Sequence, residues 1–482
     1  MLYLLLVLFP ISMAASCFAL RKHTGLVVIA AVFAVVAEMA LVLQIPLDEP
    51  VRLLGITLSL DVLTRLFMLV FLAIGGIAFL VSWHLPHGEN FVPVSLLILM
   101  MTVTILLLQD PFLISLLLIW AGIVAVLAVV DLPARAGVLV NTRVLAAALK
   151  YLILMVIAGV LIYLGFVLAE VYRPGEVPGR LPLVRFILAL LVAGFALRLA
   201  LIPFHAWLPD LVEIASPLVS VLVIAIINTT SFIVLVLSFQ RLPVLLADNP
   251  SGPVLLRIGG ILTCVLAGLM SLGAGGMRRT LGYLLIYNSG MMFYGLAAVS
   301  VVGLTGALFE TLNQTLTVVL IFVSLGMLEQ PDGRTPGVQR GDLLRRWPVA
   351  GIGFLGGGLA LLGLPPFSGF ASKQFLYRAA LQYGWAEFAL LLLATMFAGL
   401  ALVRLAYTRL LGPREEVSLP APEMHGETEL DRPAERQLKP EPRGPAMLAM
   451  LLLLISLVVG LYPQLLIVLI NEVIRGLTFV NL

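Results

Sequence analysis

The sequence predicts an all-α polytopic membrane protein of about fourteen spanning helices, with helices 7 and 12 broken and two five-helix repeats of inverted topology. Three observations carry that expectation. Of 482 residues, 61% are hydrophobic and only 11% charged, with a mean hydropathy of +1.12. Apolar stretches of the roughly 20 residues needed to cross a bilayer recur from Leu2 to the C-terminus. Two of those stretches are interrupted by proline-rich runs beside polar residues, at Pro203-Phe204-His205-Ala206-Trp207-Leu208-Pro209-Asp210 and at Gly363-Leu364-Pro365-Pro366-Phe367-Ser368-Gly369.

In order, the apolar segments fall at 2–20, 24–46, 58–82, 92–109, 111–131, 144–168, 184–207, 217–240, 253–276, 280–302, 304–328, 348–381, 384–411 and 446–476. The first has no basic residues ahead of it and is followed by Arg21 and Lys22, so it is expected to be a retained helix and not a cleaved signal. Loops after odd-numbered segments carry Arg21, Lys22, Arg135, Arg143, Arg278, Arg279, Arg334, Arg340, Arg345, Arg346, Arg409, Arg414, Arg432, Arg436, Lys439 and Arg443. Loops after even-numbered segments carry only Arg52, Arg173, Arg180, Arg185, Arg241 and Arg257. By the positive-inside rule the odd loops are cytoplasmic, and both termini lie outside.

The two interrupted segments are five apart, and an odd offset reverses direction through the membrane, so segments 4 to 8 and 9 to 13 are expected to be inverted repeats. The organisation that follows is an N-terminal group at 1–91, a first repeat at 92–240, a second at 241–411, a polar cytoplasmic loop at 412–445 and a last helix at 446–482. Pro, Glu and Arg dominate the loop, which is expected to be a linker and not a domain.

Composition also excludes functions. A net charge of +3 without a basic aromatic patch gives no reason to expect nucleic acid as a partner. Cys17 and Cys264 stand far apart in apolar segments and are read as packing residues. His84 and His87 have loose metal-like spacing but no acidic or cysteine company, so no metal site is expected. No motif for a nucleotide, flavin or cluster is visible, and no cofactor is expected. Any chemistry therefore belongs to the membrane interior or to other chains.

Few polar residues fall inside the apolar segments: Asp61 and Arg65, Lys150, Arg198, Asn228 to Ser231, Glu310, Asn313, Gln314, Lys373, Glu387 and Arg404. An ionisable group at the centre of a spanning helix costs about 2.5–3.5 kcal/mol on insertion scales, which makes each a functional candidate. Lys373 leads, because it follows a helix break that exposes backbone at membrane depth. It reads either as a titrating group or as a lysine that snorkels or pairs statically. Arg198 cannot shed its proton under ordinary conditions, so it holds charge or gates, with a static ion pair the simpler role. Glu310 reads as a proton stop or as a structural partner for a buried cation. His205, between Pro203 and Trp207, could accept a proton near neutral pH or bond to helix-end backbone. Lys150 could snorkel or function, and Asp61 and Arg65, four apart, are expected to neutralise each other.

These residues resemble the antiporter-like membrane subunits shared by respiratory complex I, energy-converting membrane hydrogenases and multi-subunit sodium/proton antiporters. Pro203-Phe204-His205-Ala206-Trp207-Leu208-Pro209-Asp210, followed by Ser216-Pro217-Leu218-Val219-Ser220, is similar to the family's PFHxWLPD signature. Gly363-Leu364-Pro365-Pro366-Phe367-Ser368-Gly369-Phe370, leading to Lys373, is similar to its GIPPxxGFxxK. Ala147-Ala148-Leu149-Lys150-Tyr151 and Arg278-Arg279 ahead of Tyr287-Asn288-Ser289 add weaker support.

The resemblance implies fourteen helices with a central axis of Glu and Lys through which protons move. It also implies a non-catalytic chain inside a larger redox-driven translocase, in company with other membrane subunits, the lipid bilayer and protons or Na+. In this sequence the axis is degenerate. The expected glutamate after Trp120 falls at Ala121 or Val124, the lysine of segment 7 at Arg198, and the lysine or histidine of segment 8 at Asn228. The His/His/Lys series of segment 11 falls at Glu310, Gln314 and Val318, and only Lys373 is unchanged. The expected function is an antiporter-like subunit with reduced or rerouted proton transport. A non-conducting structural subunit, or a subunit of an ion-antiporter or inorganic-carbon uptake complex, are the alternatives. The short stretch after segment 14 points away from the subunit type that carries a lateral helix.

Overall fold

Short polar residues start several of the helices. Asp61 accepts the Thr64 amide at 2.7 Å while Thr64 Oγ1 accepts the Asp61 amide at 3.0 Å, a reciprocal cap. Asp110 accepts the amides of Phe112 and Leu113 ahead of Pro111, and Ser216 accepts that of Val219 ahead of Pro217. Asp61 is thus spent on a helix end, and Arg65 donates instead to the Ile45 carbonyl. The expected Asp61–Arg65 neutralisation is not formed, because the helix start offers the carboxylate two nearer partners.

The computed structural model describes residues 2–53, 55–131, 142–172, 181–329, 343–412 and 441–481. The polar loop at 412–445 falls almost wholly outside these, as do Arg135, Arg173, Arg180, Arg334, Arg340, Arg414, Arg432, Arg436 and Lys439. The first six helices are α1 (Leu2–Ala19), α2 (Thr24–Gln44), α3 (Val62–Ser82), α4 (Phe91–Leu107), α5 (Pro111–Val130) and α6 (Thr142–Tyr172). They are followed by α7 (Leu181–Arg198), α8 (Trp207–Ile214), α9 (Pro217–Arg241), α10 (Ser251–Gly273), α11 (Met277–Ala297) and α12 (Val301–Leu328). The chain closes with α13 (Pro348–Leu362), α14 (Gly369–Tyr383), α15 (Trp385–Leu410), α16 (Arg443–Leu461) and α17 (Gln464–Arg475).

Among the described residues ten helices are long and apolar enough to cross a membrane. The fold is that of an all-α protein whose helices suit repeated passage through a bilayer. A small addition is an antiparallel hairpin, Val51–Leu53 with Ile56–Leu58, between α2 and α3. A correction concerns the last segment, 446–476, which is not one span. Pro463 has no amide to continue the helix, so α16 stops at Leu461 and the twelve-residue, two-faced α17 follows. Ile470, Val473 and Ile474 of α17 face inward, and Leu465, Val468 and Leu469 face outward.

The centre is built on α9 and α12. The spanning window of α9 is 100% buried and that of α12 is 94% buried, against 28% for α1 and α16; with α11, which is buried along most of its length, they form the core. Helices α9 and α12 pack directly on each other. Outer helices show apolar residues such as Phe33, Val36 and Leu43 to their surroundings, as a lipid-facing surface must.

Both expected breaks are present. The α7 helix ends at Arg198 and the chain turns through Ala200, at φ +55°, before the single turn Phe204–Ala206 and α8. The Trp207 indole donates to the Leu197 carbonyl at 2.9 Å, which occupies an acceptor freed by the break. The α13 helix ends at Gly363, φ +78°, and α14 restarts at Gly369.

Candidate functional site in the broken-helix core

Glycine is what lets the second break form. At Gly363 the backbone is left-handed, and a Cβ would lie 2.2 Å from Lys373 Cγ; at Gly369 a Cβ would lie 1.9 Å from the Ala360 carbonyl. With both side chains absent, α14 begins against the end of α13 and aims Lys373 into the protein, where it is 1% exposed. The nitrogen is enclosed by protein.

Lys373 is not solitary. Its ammonium donates to Asn288 Oδ1 at 2.7 Å, lies 3.3 Å from Glu310 Oε1, and sits 5.0 Å from the centre of the Tyr287 ring. Glu310 is fully buried on α12 and collects further donors from Ser372 Oγ and, at 3.1 Å, from Asn313 Nδ2. Two carboxylate oxygens thus face three donors, the arrangement that keeps a buried negative charge tolerable.

The network extends both ways. Asn288 Nδ2 donates to Gln314 Oε1 at 2.7 Å. Ser368 Oγ donates to Asn313 Oδ1 at 2.7 Å and lies 2.9 Å from Ser456 Oγ on α16, while Asn313 also reaches the Ala360 carbonyl at the broken end of α13. Hydrogen-bonding side chains therefore run from the outer α16 through the break to the central α12 and α11. The Glu310 carboxylate and the Lys373 amine can shift a proton between them, while the neutral amides of Asn313, Asn288 and Gln314 orient the pair without carrying one.

The first break carries no such pair. Arg198, 1% exposed at the last residue of α7, donates through Nε to Ser231 Oγ at 2.8 Å and through Nη1 to the Leu118 carbonyl at 3.2 Å. The expected static ion pair is absent: among the described residues no carboxylate pairs with Arg198. The carbonyl end of a helix favours a cation by about 0.3–1 kcal/mol. That is well short of the several kcal/mol that unpaired burial costs an ion. Ala121 and Val124, where a carboxylate could have stood, are buried apolar residues on α5.

The remaining candidates lie outside the Lys373 network. Lys150 is bound to Asp210 Oδ2 at 2.7 Å and to the Ala206 carbonyl at 3.0 Å, which fastens α6 to the first break. Arg279 extends that group to Asp210 at 3.7 Å and Glu213 at 3.5 Å, and Arg278 binds Glu329 and the Ala215 carbonyl, each at 2.5 Å. His205 lies in the turn after Pro203 with its ring 6.3 Å from that of Tyr283, and Asn228 is buried on α9. Pro209 falls in the first turn of α8, and Pro365 and Pro366 fill the gap between α13 and α14. Glu387 and Arg257 pair at 3.3 Å, and Tyr294 donates to Glu387 at 2.7 Å.

The sequence reading names Asn288 and Gln314 without making either a partner of the lysine, yet Asn288 accepts directly from Lys373 and Gln314 accepts from Asn288. It passes over Glu38, 1% exposed on α2 with Oε2 unpartnered. A lone acid among the 21 residues of Thr24–Gln44 is the signal that finds it.

Residues 137–398, more than half of the chain, match the family described as NADH:quinone oxidoreductase/Mrp antiporter, transmembrane. The chain belongs to that family. This antiporter-like subunit is 27% identical over 433 residues to F420H2 dehydrogenase subunit N of Methanosarcina mazei, covering 82% of this chain and 84% of that one. It is 30% identical over 225 residues to NADH-quinone oxidoreductase subunit N 2 of Solidesulfovibrio magneticus, covering 46% of this chain and 47% of that one. For several curated relatives the matched region thus spans about half of their length. In fold it is similar to a chain of the Mrp complex from Dietzia sp. DQ12-45-1b, with a TM-score of 0.80 at 20% identity, covering 98% and 96% of the two chains. A chain of the archaeal membrane-bound sulfane sulfur reductase gives 0.79 at 20% identity, over 99% and 98%.

Proposed function

We propose that this antiporter-like subunit moves protons through the Lys373–Glu310 network as one membrane chain of a larger redox-driven complex. The observation that carries the reading is the buried lysine–carboxylate pair set beside a helix that breaks at Pro365, Pro366 and Gly369. A lysine whose carboxylate partner gains and loses a proton changes its own hold on a proton, and that coupling is what a relay needs. Relatives named as subunits of NADH-quinone oxidoreductase and F420H2 dehydrogenase, and fold neighbours from multi-subunit membrane complexes, support the assignment of the redox step to partner chains.

Within this reading the chain crosses the plasma membrane fourteen times, α7 with α8 and α13 with α14 each counting as one broken span. The inverted repeats occupy 92–240 and 241–411, and both termini lie outside. The axis is degenerate in its first half, where among the described residues Arg198 and Asn228 stand without a titrating carboxylate, so transport depends on the second half alone.

Proton uptake by proteoliposomes of the assembled complex tests this. Lys373→Ala and Glu310→Gln are each expected to lower uptake at least tenfold, roughly the loss of one positioned proton carrier. Unchanged uptake in both variants leaves only a second reading, a structural subunit that kept the fold, which the carboxylate-free surroundings of Arg198 favour. Uptake that requires Na+ reassigns the ion.

A further inference from the structure

Three buried polar atoms in the first half have no hydrogen-bond partner: Arg198 Nη2, the Tyr151 hydroxyl and Asn228 Nδ2. They come from three different helices, α7, α6 and α9. The Tyr151 ring lies 5.1 Å from that of Trp207, whose indole donates to the carbonyl of Leu197, the residue before Arg198. Asn228 stands one turn before Ser231, which holds Arg198 Nε at 2.8 Å. Their exposures are 1% for Arg198, 0% for Tyr151 and 4% for Asn228, so bulk water does not serve them.

Every one of these atoms can donate, and two of them can only donate. What is missing is an acceptor. The same place lacks a negative charge, since among the described residues no acid pairs with Arg198. A water molecule would answer the first need and not the second. We propose that Arg198, Tyr151 and Asn228 form a buried site for a small monovalent inorganic anion of chloride size, which supplies the counter-charge that the protein omits. The site lies in the half of the chain that the proton relay does not use, so it stands or falls apart from that reading.

The full chain, purified in detergent, is unfolded by heat while sodium chloride replaces sodium isethionate at constant ionic strength. The expected result is a saturable rise of a few degrees in the midpoint with chloride, and equally with bromide. Arg198→Met should lose that response, and Tyr151→Phe should need more chloride for half the effect. Equal midpoints of the wild-type chain in both salts, or the same chloride response in Arg198→Met, overturn the proposal. Anomalous diffraction from wild-type crystals grown in bromide gives a reading independent of any variant: a peak within hydrogen-bonding reach of Arg198 Nη2 is expected. An empty or water-filled position there overturns it.

Discussion

At the scale of single residues, the Lys373–Glu310 contact has to withstand complete burial. Removing one member of a buried pair leaves the other uncompensated and costs about 3–5 kcal/mol, whereas replacing both by apolar or neutral groups costs much less. Lys373→Met and Glu310→Gln are therefore expected each to lower the unfolding midpoint strongly, and the double variant to recover most of the loss. A double-mutant cycle measures it, and additive losses would show that the two groups do not act as a pair. Lys373 was legible in the sequence because one charge in an apolar run is conspicuous. Glu310 was legible as a partner for some buried cation, but its pairing with Lys373 and the part played by Asn288 were not, because which face of α11 and α12 turns toward α14 depends on the phase of helices far apart in the chain. For Arg198 both the permanent charge and the missing glutamate at Ala121 or Val124 were readable; that Ser231 and the Leu118 carbonyl take up its donors was not.

At the scale of elements, most helix positions follow from hydropathy, and the two breaks follow from proline and glycine that cannot continue a helix. Less legible were Val51–Leu53 and Ile56–Leu58, whose strands are only 3 residues each and merge into apolar flanks. The end of α16 was signalled by Pro463 but overridden by the apolar run around it. The close approach of α13 and α14 rests on Gly369, where an added methyl meets the Ala360 carbonyl. Overpacking of this kind costs about 1–3 kcal/mol. Gly369→Ala should therefore destabilise the chain and displace Lys373, while Gly399→Ala on α15, with open space around it, should not. Thermal unfolding and proton uptake of the two variants side by side check this; equal behaviour would mean that the break tolerates a wider spacing.

For the whole molecule, the buried α9–α12 pair separates the cation of the first half from the ion pair of the second, so one fold holds two unlike sites. The distribution of Lys and Arg sets its orientation. Native Cys17 and Cys264 are buried, so single introduced cysteines report sidedness cleanly. In intact cells a membrane-impermeant thiol reagent should label Arg52→Cys and spare Lys22→Cys; the opposite pattern would invert the topology. What the molecule does with its two halves is decided by counting protons moved per electron delivered in the assembled complex, for wild type and for Lys373→Met. The relay through Lys373 and Glu310 predicts a lower ratio in the variant while electron flow continues. An unchanged ratio would contradict it and leave this chain as a structural member of its complex.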